Sequence, residues 1–436
     1  MKKTKAAITP QNARKIHFAG IGGIGISAIA RMMKGEGKAV SGSDRDRSKV
    51  TDELKKLGIK ISIGQKKSAI PKGCDLLVYT NALPKNHSEL VDAKKRKIKV
   101  FSYPQTLHFI SKEKYTIAIS GTHGKTTTTA MVAKILMDAH LDPTVIVGSI
   151  LKSTNSNFVS GKSVFFLVEA DEYKRAFLNL EPKILAINNL DLDHTDYYKN
   201  LADIQKAFHT LAKKIPEGGF LICDKDNAHL KPVLKSLKCT VIHYPDVSLS
   251  DWKLKLPGEH NRQNAKVAAT VAGVLGVPEE NIRKSLEEFE GTWRRFEFKG
   301  ETKSGVLVYD DYAHNPEKVR AALAGAREAF PNKKIWAVFQ PHLYSRTKRF
   351  FKDFTESFKD TDEVIFAPIF AAREKLDKSI TSEMLAKAVV KKGGKAHYAE
   401  AFENIVKYLK KQTKKGDVVM TVGAGDIYKV GESFLK

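Results

Sequence analysis

Short apolar runs alternate with amphipathic stretches along the chain. Residues 15–20 (KIHFAG) predict a strand ending in glycine, and residues 24–33 (IGISAIARMM) predict a helix. Residues 39–44 (AVSGSD) read as a second strand end and residues 74–80 (CDLLVYT) as a further buried strand. Continuous apolar strands separated by helices predict a parallel sheet covered on both faces. The pattern restarts at residues 115–120 (YTIAIS), with strands at 164–168 (VFFLV) and 183–188 (KILAIN) and helices at 264–275 and 279–289 before a turn at Gly291. It restarts again with strands at 305–310, 334–339, 363–366 and 417–422 and a helix at 317–330. The rounds share no repeated sequence. Three α/β domains are expected, at residues 1–112, 113–296 and 297–436.

Two glycine-bearing loops sit at strand-to-helix junctions. In the first, Gly20, Gly22 and Gly25, with Gly23 among them, fit G-x-G-x-x-G. Glycines there let the backbone approach a diphosphate seated on the helix N-terminus. Asp44 follows 24 residues after Gly20, at the end of the next strand, where an acid accepts a ribose hydroxyl. This spacing fits a nicotinamide dinucleotide or another nucleotide diphosphate equally. The competing explanation is a tight turn serving helix–strand packing alone.

The second loop, Gly121-Thr122-His123-Gly124-Lys125-Thr126-Thr127, ends as a P-loop does. Its backbone N–H groups would cradle phosphates, Lys125 would reach the β- and γ-phosphates, and the Thr126 hydroxyl would ligate Mg²⁺. The usual first glycine, five positions before Gly124, is Ile119; Gly121 stands three before it. Glu169, Asp171 and Glu172 follow the strand at 164–168, where carboxylates can hold Mg²⁺. His194 follows the next strand and is a candidate for a second metal or a phosphate. Helix capping by the acids and a satisfied surface or core histidine are the plain alternatives. Two phosphate loops and a metal site call for two phosphorylated ligands. A dehydrogenase needs one loop and no GKT, and a simple ATPase needs only the second.

Composition narrows the partners. The chain has 436 residues, 42% hydrophobic and 28% charged, ordinary for a protein with several buried cores. Lys plus Arg total 74 against 49 Asp plus Glu, a formal charge of +25. The basic residues are scattered as lysine pairs, with no basic tail or arginine-rich arm, so a solvated surface is expected rather than a nucleic-acid groove. A polyanion-binding protein and an NAD-dependent dehydrogenase remain the competing classes. Cys74, Cys223 and Cys239 lack metal or disulfide spacing and suit a reducing cytoplasm. The basic start, residues 1–14, has no apolar leader core, and no run of about 18 apolar residues predicts membrane insertion.

The chain is similar to the Mur ligase family along nearly its full length. The motifs, in the family's order, are GIGGIGISAIA with SGSD, GTHGKTTTT, EADE, NNLDLDH, GEHNRQNA, RRFE, DDYAHNPEKV and FQPHLYSRT. The resemblance implies a Rossmann-like N-terminal domain for a UDP-sugar, a central P-loop ATPase-like parallel sheet for ATP, and a Rossmann-like C-terminal domain that binds an amino acid and closes over ATP. It implies an ATP- and Mg²⁺-dependent amide-bond ligase of cytoplasmic peptidoglycan precursor synthesis, a monomer or homodimer without nucleic acid. The motifs fit the branch that adds L-alanine to UDP-N-acetylmuramate through an acyl phosphate. The alternative is the branch that reattaches murein tripeptide in cell-wall recycling.

Residue by residue, the resemblance implies that Gly20, Gly22, Gly23, Gly25, Ser43 and Asp44 hold the uridine diphosphate. Gly121, Thr122, His123, Gly124, Lys125, Thr126 and Thr127 would bind ATP together with His260, Asn261, Asn264, Arg295 and Asp310. Thr126, Glu169 and His194 would serve metal; Tyr312, His314, His342 and Arg346 would take the amino acid. Lys125, Glu169, His194, His342 and Arg346 would carry the catalysis. The chain departs from the family at Leu343, where its alanine ligases often carry arginine, and at residues 173–177 (YKRAF). Several Mur ligases use a carbamylated lysine downstream of the His194 position; here His209 lies near that spacing and Lys206 is off it, so no residue is assigned that role.

Overall fold

The computed structural model describes residues 7–64, 69–194, 197–372 and 374–436; residues 1–6 of the basic start lie outside them. The chain is α/β and carries three sheets, mostly parallel. Two compact units contain them: Met1–Trp252 with Gln263–Glu288, and Lys253–Arg262 with Phe289–Lys436.

The first sheet uses β1 (Lys15–Ala19), β2 (Ala39–Asp44), β3 (Lys60–Ile63), β4 (Leu76–Tyr79) and β5 (Lys99–Ser102) in the order 3-2-1-4-5. Its helices are α1 (Ile24–Gly35), α2 (Lys49–Lys56), α3 (Ser88–Lys95) and α4 (Tyr103–Glu113). Local chemistry sets the helix starts: Ser48 with Thr51 and Ser102 with Gln105 form capping boxes, satisfying N–H groups that a helix leaves unbonded. Strand order reverses at β1, which lies between β2 and β4. Loops leaving such a switch point form a crevice at the carboxyl ends of the strands.

The second sheet, in the same unit, comprises β6 (Tyr115–Ser120), β7 (Thr144–Leu151), β8 (Ser156–Val159), β9 (Phe165–Glu169), β10 (Ile184–Ile187), β11 (Phe220–Cys223) and β12 (Thr240–His243). The order 12-11-10-6-9-7-8 puts β6 at the centre. α5 (Lys125–Asp138) leaves β6 directly; α6 (Leu201–Ala212), α7 (Glu259–Val274) and α8 (Glu279–Glu288) follow. One cluster of buried side chains joins the two sheets, running from Phe18 and Ile29 to Phe166 and Phe208. β7 and β8 lie against α1, where Asn157 Nδ2 donates to Ser27 Oγ at 2.9 Å.

In the other unit, β13 (Glu297–Glu301), β14 (Leu307–Asp311), β15 (Ile335–Phe339), β16 (Glu363–Phe366), β17 (Ala396–Tyr398) and β18 (Val418–Val422) pair in the order 13-14-18-15-16-17. The helices are α9 (Pro316–Ala329), α10 (Tyr344–Arg349), α11 (Phe351–Thr355), α12 (Ser382–Lys391), α13 (Phe402–Gln412) and α14 (Tyr428–Phe434). Period-two alternation gives each sheet face its own core. In β15, Ile335, Ala337 and Phe339 join Leu323 and Leu385, while Trp336 and Val338 join Ile405 and Phe434.

Candidate active site

The second phosphate loop lies where β6 turns into α5, as its sequence predicts. Gly124 has φ +80°, and Asn264 and Asn188 crowd the space a Cβ would fill. Only glycine suits both constraints. Asn188 Nδ2 donates to Thr128 Oγ1 at 2.8 Å and to Asn264 Oδ1 at 3.0 Å, so α7 and the end of β10 buttress the loop from behind. The segment after β10 fixes its front. Asn189 accepts from the Thr122 N–H through its carbonyl (3.2 Å) and from the His123 N–H through Oδ1 (2.8 Å). Thr122 Oγ1 donates to Asp191 O at 3.1 Å, so that buried side chain faces protein. The first α-helical bond of the loop runs from Thr128 N to Gly124 O. The N–H groups of Lys125, Thr126 and Thr127 precede it, at the positive end of the helix.

Thr126 Oγ1 donates to Glu169 Oε1 at 2.9 Å, and Glu169 Oε2 accepts from Gly148 N at 2.8 Å. A hydroxyl and a carboxylate are therefore adjacent at the start of α5, a set of hard oxygen donors suited to Mg²⁺. Lys125 Nζ lies 2.8 Å from Glu172 Oε2 and donates to Gly121 O at 2.7 Å. His194 Nε2 is 3.3 Å from the other Glu172 oxygen. The ring of His194 rests 4.8 Å from that of Tyr173. Burial would raise the Glu172 carboxyl, but Lys125 and His194 overcome it and hold it below the usual carboxylate range. Burial would likewise lower Lys125, and the charges of Glu172 and Asp171 keep it raised. His194, Lys174 and Arg175 all have left-handed backbones (φ 51°, 51° and 57°), a cost of order 1 kcal/mol each that persists where surroundings impose it. His209 Nδ1–H donates to Val233 O at 2.9 Å.

At the first loop, Gly20 has φ +76°, and Gly20 N and Ile21 N both donate to Ser43 O, at 2.9 and 3.0 Å. Asp44 Oδ2 accepts from Gly22 N at 2.7 Å, so this acid shapes the loop itself. The Ser43 hydroxyl is buried and donates to Glu89 Oε2 at 2.7 Å.

On the third sheet, Tyr312 and His314 follow β14, and His342 and Arg346 follow β15. The rings of His314 and His342 are 6.1 Å apart and those of Tyr312 and His314 5.3 Å. His314 Nδ1 lies 2.9 Å from Tyr312 O, which must be met by an N–H, leaving Nε2 as a lone pair. An Arg346 N–H donates to His342 Nδ1 at 3.2 Å, so His342 presents Nε2–H. His342 also stacks on Phe370, with ring centroids 5.6 Å apart. Leu343 holds φ 71°, ψ 133°, pinned by its N–H to Phe370 O (2.9 Å). The strained residue turns the chain between His342 and Arg346. The two expected ATP contacts behind this cluster differ from each other. Asp310 is fully buried and salt-bridged to Arg294 (2.7 Å), whereas the Arg295 side chain packs over Tyr312 and its buried Nε has no partner among the described residues. His260 and Asn261 sit in the first turn of α7, and Asn261 Nδ2 donates to Pro257 O at 2.7 Å.

His314 is held well below the ordinary histidine value, first by burial and then by the charges of Lys318 and Arg346. A histidine harder to protonate folded than unfolded adds stability above its unfolded value, 6.5, and loses it as pH falls below that point. Urea unfolding midpoints are therefore expected to fall between pH 7.5 and pH 5, with a shallower fall in His314→Gln. Equal slopes in the two proteins would assign the effect to other groups.

Asn188, Arg294 and Glu89 are not singled out as site residues by the sequence, because their roles come from pairing across elements. Glu172 is read there only as one of the carboxylates that can hold Mg²⁺, whereas the structure pairs it with Lys125 and His194.

A GKT loop on the central strand of a parallel sheet, with an acid from the neighbouring strand beside its threonine, defines the class: ATP-using α/β enzymes of the P-loop kind. Three family models match the chain. The Mur ligase family catalytic domain covers residues 15–115, the Mur ligase middle domain 119–252, and the Mur ligase glutamate ligase domain 294–425. The UDP-N-acetylmuramate–L-alanine ligase of Clostridium kluyveri is 42% identical, across 97% of this chain and 98% of that protein. The protein of that name from Clostridium tetani is also 42% identical, with the same coverage. Among solved structures, the UDP-N-acetylmuramate–alanine ligase of Thermotoga maritima superposes with a TM-score of 0.83 at 28% identity, over 96% of this chain and 98% of that one. A murein peptide ligase from Psychrobacter arcticus shares the fold, with a TM-score of 0.72 at 23% identity over 97% and 98%. The chain belongs to the Mur ligase family.

Proposed function

We propose that the protein joins L-alanine to UDP-N-acetylmuramate with ATP, in cytoplasmic assembly of peptidoglycan precursors. The observation that carries this reading is the 42% identity, over nearly the whole chain, to relatives named for that reaction. Three domains, divided near residues 112 and 296, then take the sugar nucleotide, ATP and the amino acid in turn.

A carboxylate and an amine in neutral water form a salt, so the carboxylate must first become an electrophile. The lactyl carboxylate attacks the γ-phosphorus of ATP, the bond to the β-phosphate oxygen breaks, and an acyl phosphate and ADP result. Lys125 turns from Glu172 to the transferring phosphoryl oxygens and offsets their charge. Thr126 and Glu169 would hold Mg²⁺, which supplies further neutralisation of the β- and γ-phosphates. Arg346 and the Nε2–H of His342 receive the carboxylate of L-alanine. The lone pair on His314 Nε2 accepts a hydrogen bond from its ammonium group, which releases its proton to solvent before attack. The freed amine attacks the acyl carbon, and the tetrahedral adduct collapses by expelling phosphate. Arg295, with its unpartnered Nε, serves a phosphate.

The test is phosphate release from ATP with UDP-N-acetylmuramate and, separately, L-alanine, glycine, L-serine or the L-Ala-D-Glu-diaminopimelate tripeptide. Release with L-alanine at the highest kcat/KM is expected. Release with the tripeptide alone would replace this reading by the recycling one.

A further inference from the structure

Beneath the first glycine loop lies a buried polar chain that no step above uses. It occupies the sheet face covered by α3, where Ala19, Leu77 and Ala93 form an apolar cluster. His17 in the middle of β1, Ser43 near the end of β2 and Glu89 in the first turn of α3 are exposed by only 1%, 7% and 2%. His17 Nδ1 lies 2.9 Å from Ser41 Oγ, its direct partner across β1 and β2. His17 Nε2 lies 3.3 Å from Glu89 Oε1, and Ser43 Oγ donates to Glu89 Oε2 at 2.7 Å. One carboxylate therefore ties β1, β2 and α3 together.

An acid inside a sheet–helix interface is costly, and apolar residues of similar volume would pack there at least as stably. A reason for its presence appears at the carboxyl ends of the strands. Ser43, held by Glu89 through its side chain, accepts through its carbonyl from Gly20 N and Ile21 N. The next residue, Asp44, fixes Gly22 N. Glu89 also anchors the start of α3, and the segment leading into that helix begins at Thr80, whose N–H donates to Ala19 O and whose methyl packs over Gly20. The three loops that open at the switch point follow β1, β2 and β4, and the one carboxylate holds His17 of β1, Ser43 of β2 and the first turn of α3.

We infer that Glu89, acting through His17 and Ser43, is a positioning residue that sets the glycine loop in the shape that receives the diphosphate of the sugar nucleotide. The inference rests on the proposed function for the identity of that ligand. Glu89 is exposed by only 2% and faces protein through both carboxylate oxygens. Its effect therefore falls on affinity for one substrate rather than on phosphoryl transfer.

The experiment compares wild type with Glu89→Gln and Ser43→Ala by calorimetric titration with UDP-N-acetylmuramate and with ATP, alongside steady-state kinetics and melting curves. Glu89→Gln keeps the volume and one acceptor and loses the charge; Ser43→Ala removes one arm only. The Kd and KM for UDP-N-acetylmuramate are expected to rise about tenfold or more in Glu89→Gln and several-fold in Ser43→Ala. The Kd for ATP and the kcat at saturation should stay within about twofold of wild type. Unchanged sugar-nucleotide affinity with a lowered melting point would overturn the inference and leave a stabilising role. A parallel loss of both affinities would overturn it in favour of general loosening. If wild type itself failed to bind UDP-N-acetylmuramate, the proposed function would fall first, and this inference with it.

Discussion

Lys125→Ala is expected to lower turnover by on the order of 10³-fold, while UDP-N-acetylmuramate binds as tightly as to wild type. The ammonium of Lys125 lies on the phosphate loop's own backbone, 2.7 Å from Gly121 O, and is matched by Glu172 at 2.8 Å. Its removal takes away charge that the transferring phosphoryl group needs. It also leaves the fully buried Glu172 with His194 as its remaining ion-pair partner among the described residues, and stability should drop by about 3 kcal/mol. The two losses separate in Lys125→Met/Glu172→Gln, which removes the orphaned charge: stability returns and turnover does not. The measurements are phosphate release, titration of the sugar nucleotide and urea unfolding. Loss of sugar-nucleotide binding together with turnover would contradict the assignment of the two nucleotides to separate loops.

Arg294→Met should destabilise the unit built on the third sheet by about 3–5 kcal/mol. Arg294 is 3% exposed, lies 2.7 Å from Asp310 and donates to the carbonyls of Gly425 (2.8 Å) and Gly423. Its guanidinium also faces Tyr428 and Tyr312 at 4.8 and 5.2 Å from the ring centroids. Asp310 has no exposed surface and also accepts from Thr421. Without the arginine, a carboxylate and two carbonyls are stranded in the interior. Arg294→Met/Asp310→Leu should regain most of the stability, because apolar replacements of both partners avoid the uncompensated charge. A single variant that loses under about 1 kcal/mol in urea titrations would show that water reaches the pair.

Much of this fold is legible in periodicity. β16 and β2 fall where the apolar runs place them, and α9 starts one residue before its predicted start because Asn315 caps it and Pro316 suits its first position. α7 is the instructive difference. It begins at Glu259, five residues before the apolar pattern at 264, because Glu259-His260-Asn261-Arg262-Gln263 is wholly polar and gives no periodic signal. The hairpin of β7 and β8 at the sheet margin is not named by the pattern of strand–helix alternation, since it pairs antiparallel with no helix between its strands.

The chemistry divides along the same line. The grouping of Lys125, Thr126 and Glu169 is readable because a loop and the end of the neighbouring strand keep them at fixed spacing. RRFE shows two adjacent arginines, and nothing local says that Arg294 turns inward to Asp310 while Arg295 Nε finds no hydrogen-bond partner among the described residues. Ser43 and Asp44 read as ligand contacts, yet the Ser43 hydroxyl faces Glu89, 46 residues along the chain. The sequence by itself determined the three α/β rounds, both glycine loops and the family, because these depend on short-range spacing and backbone freedom. Tertiary structure alone decided which acid meets Lys125, which arginine is buried and what supports the first loop. Those choices depend on side chains from distant strands meeting in a low-dielectric interior, where each charge must find a partner.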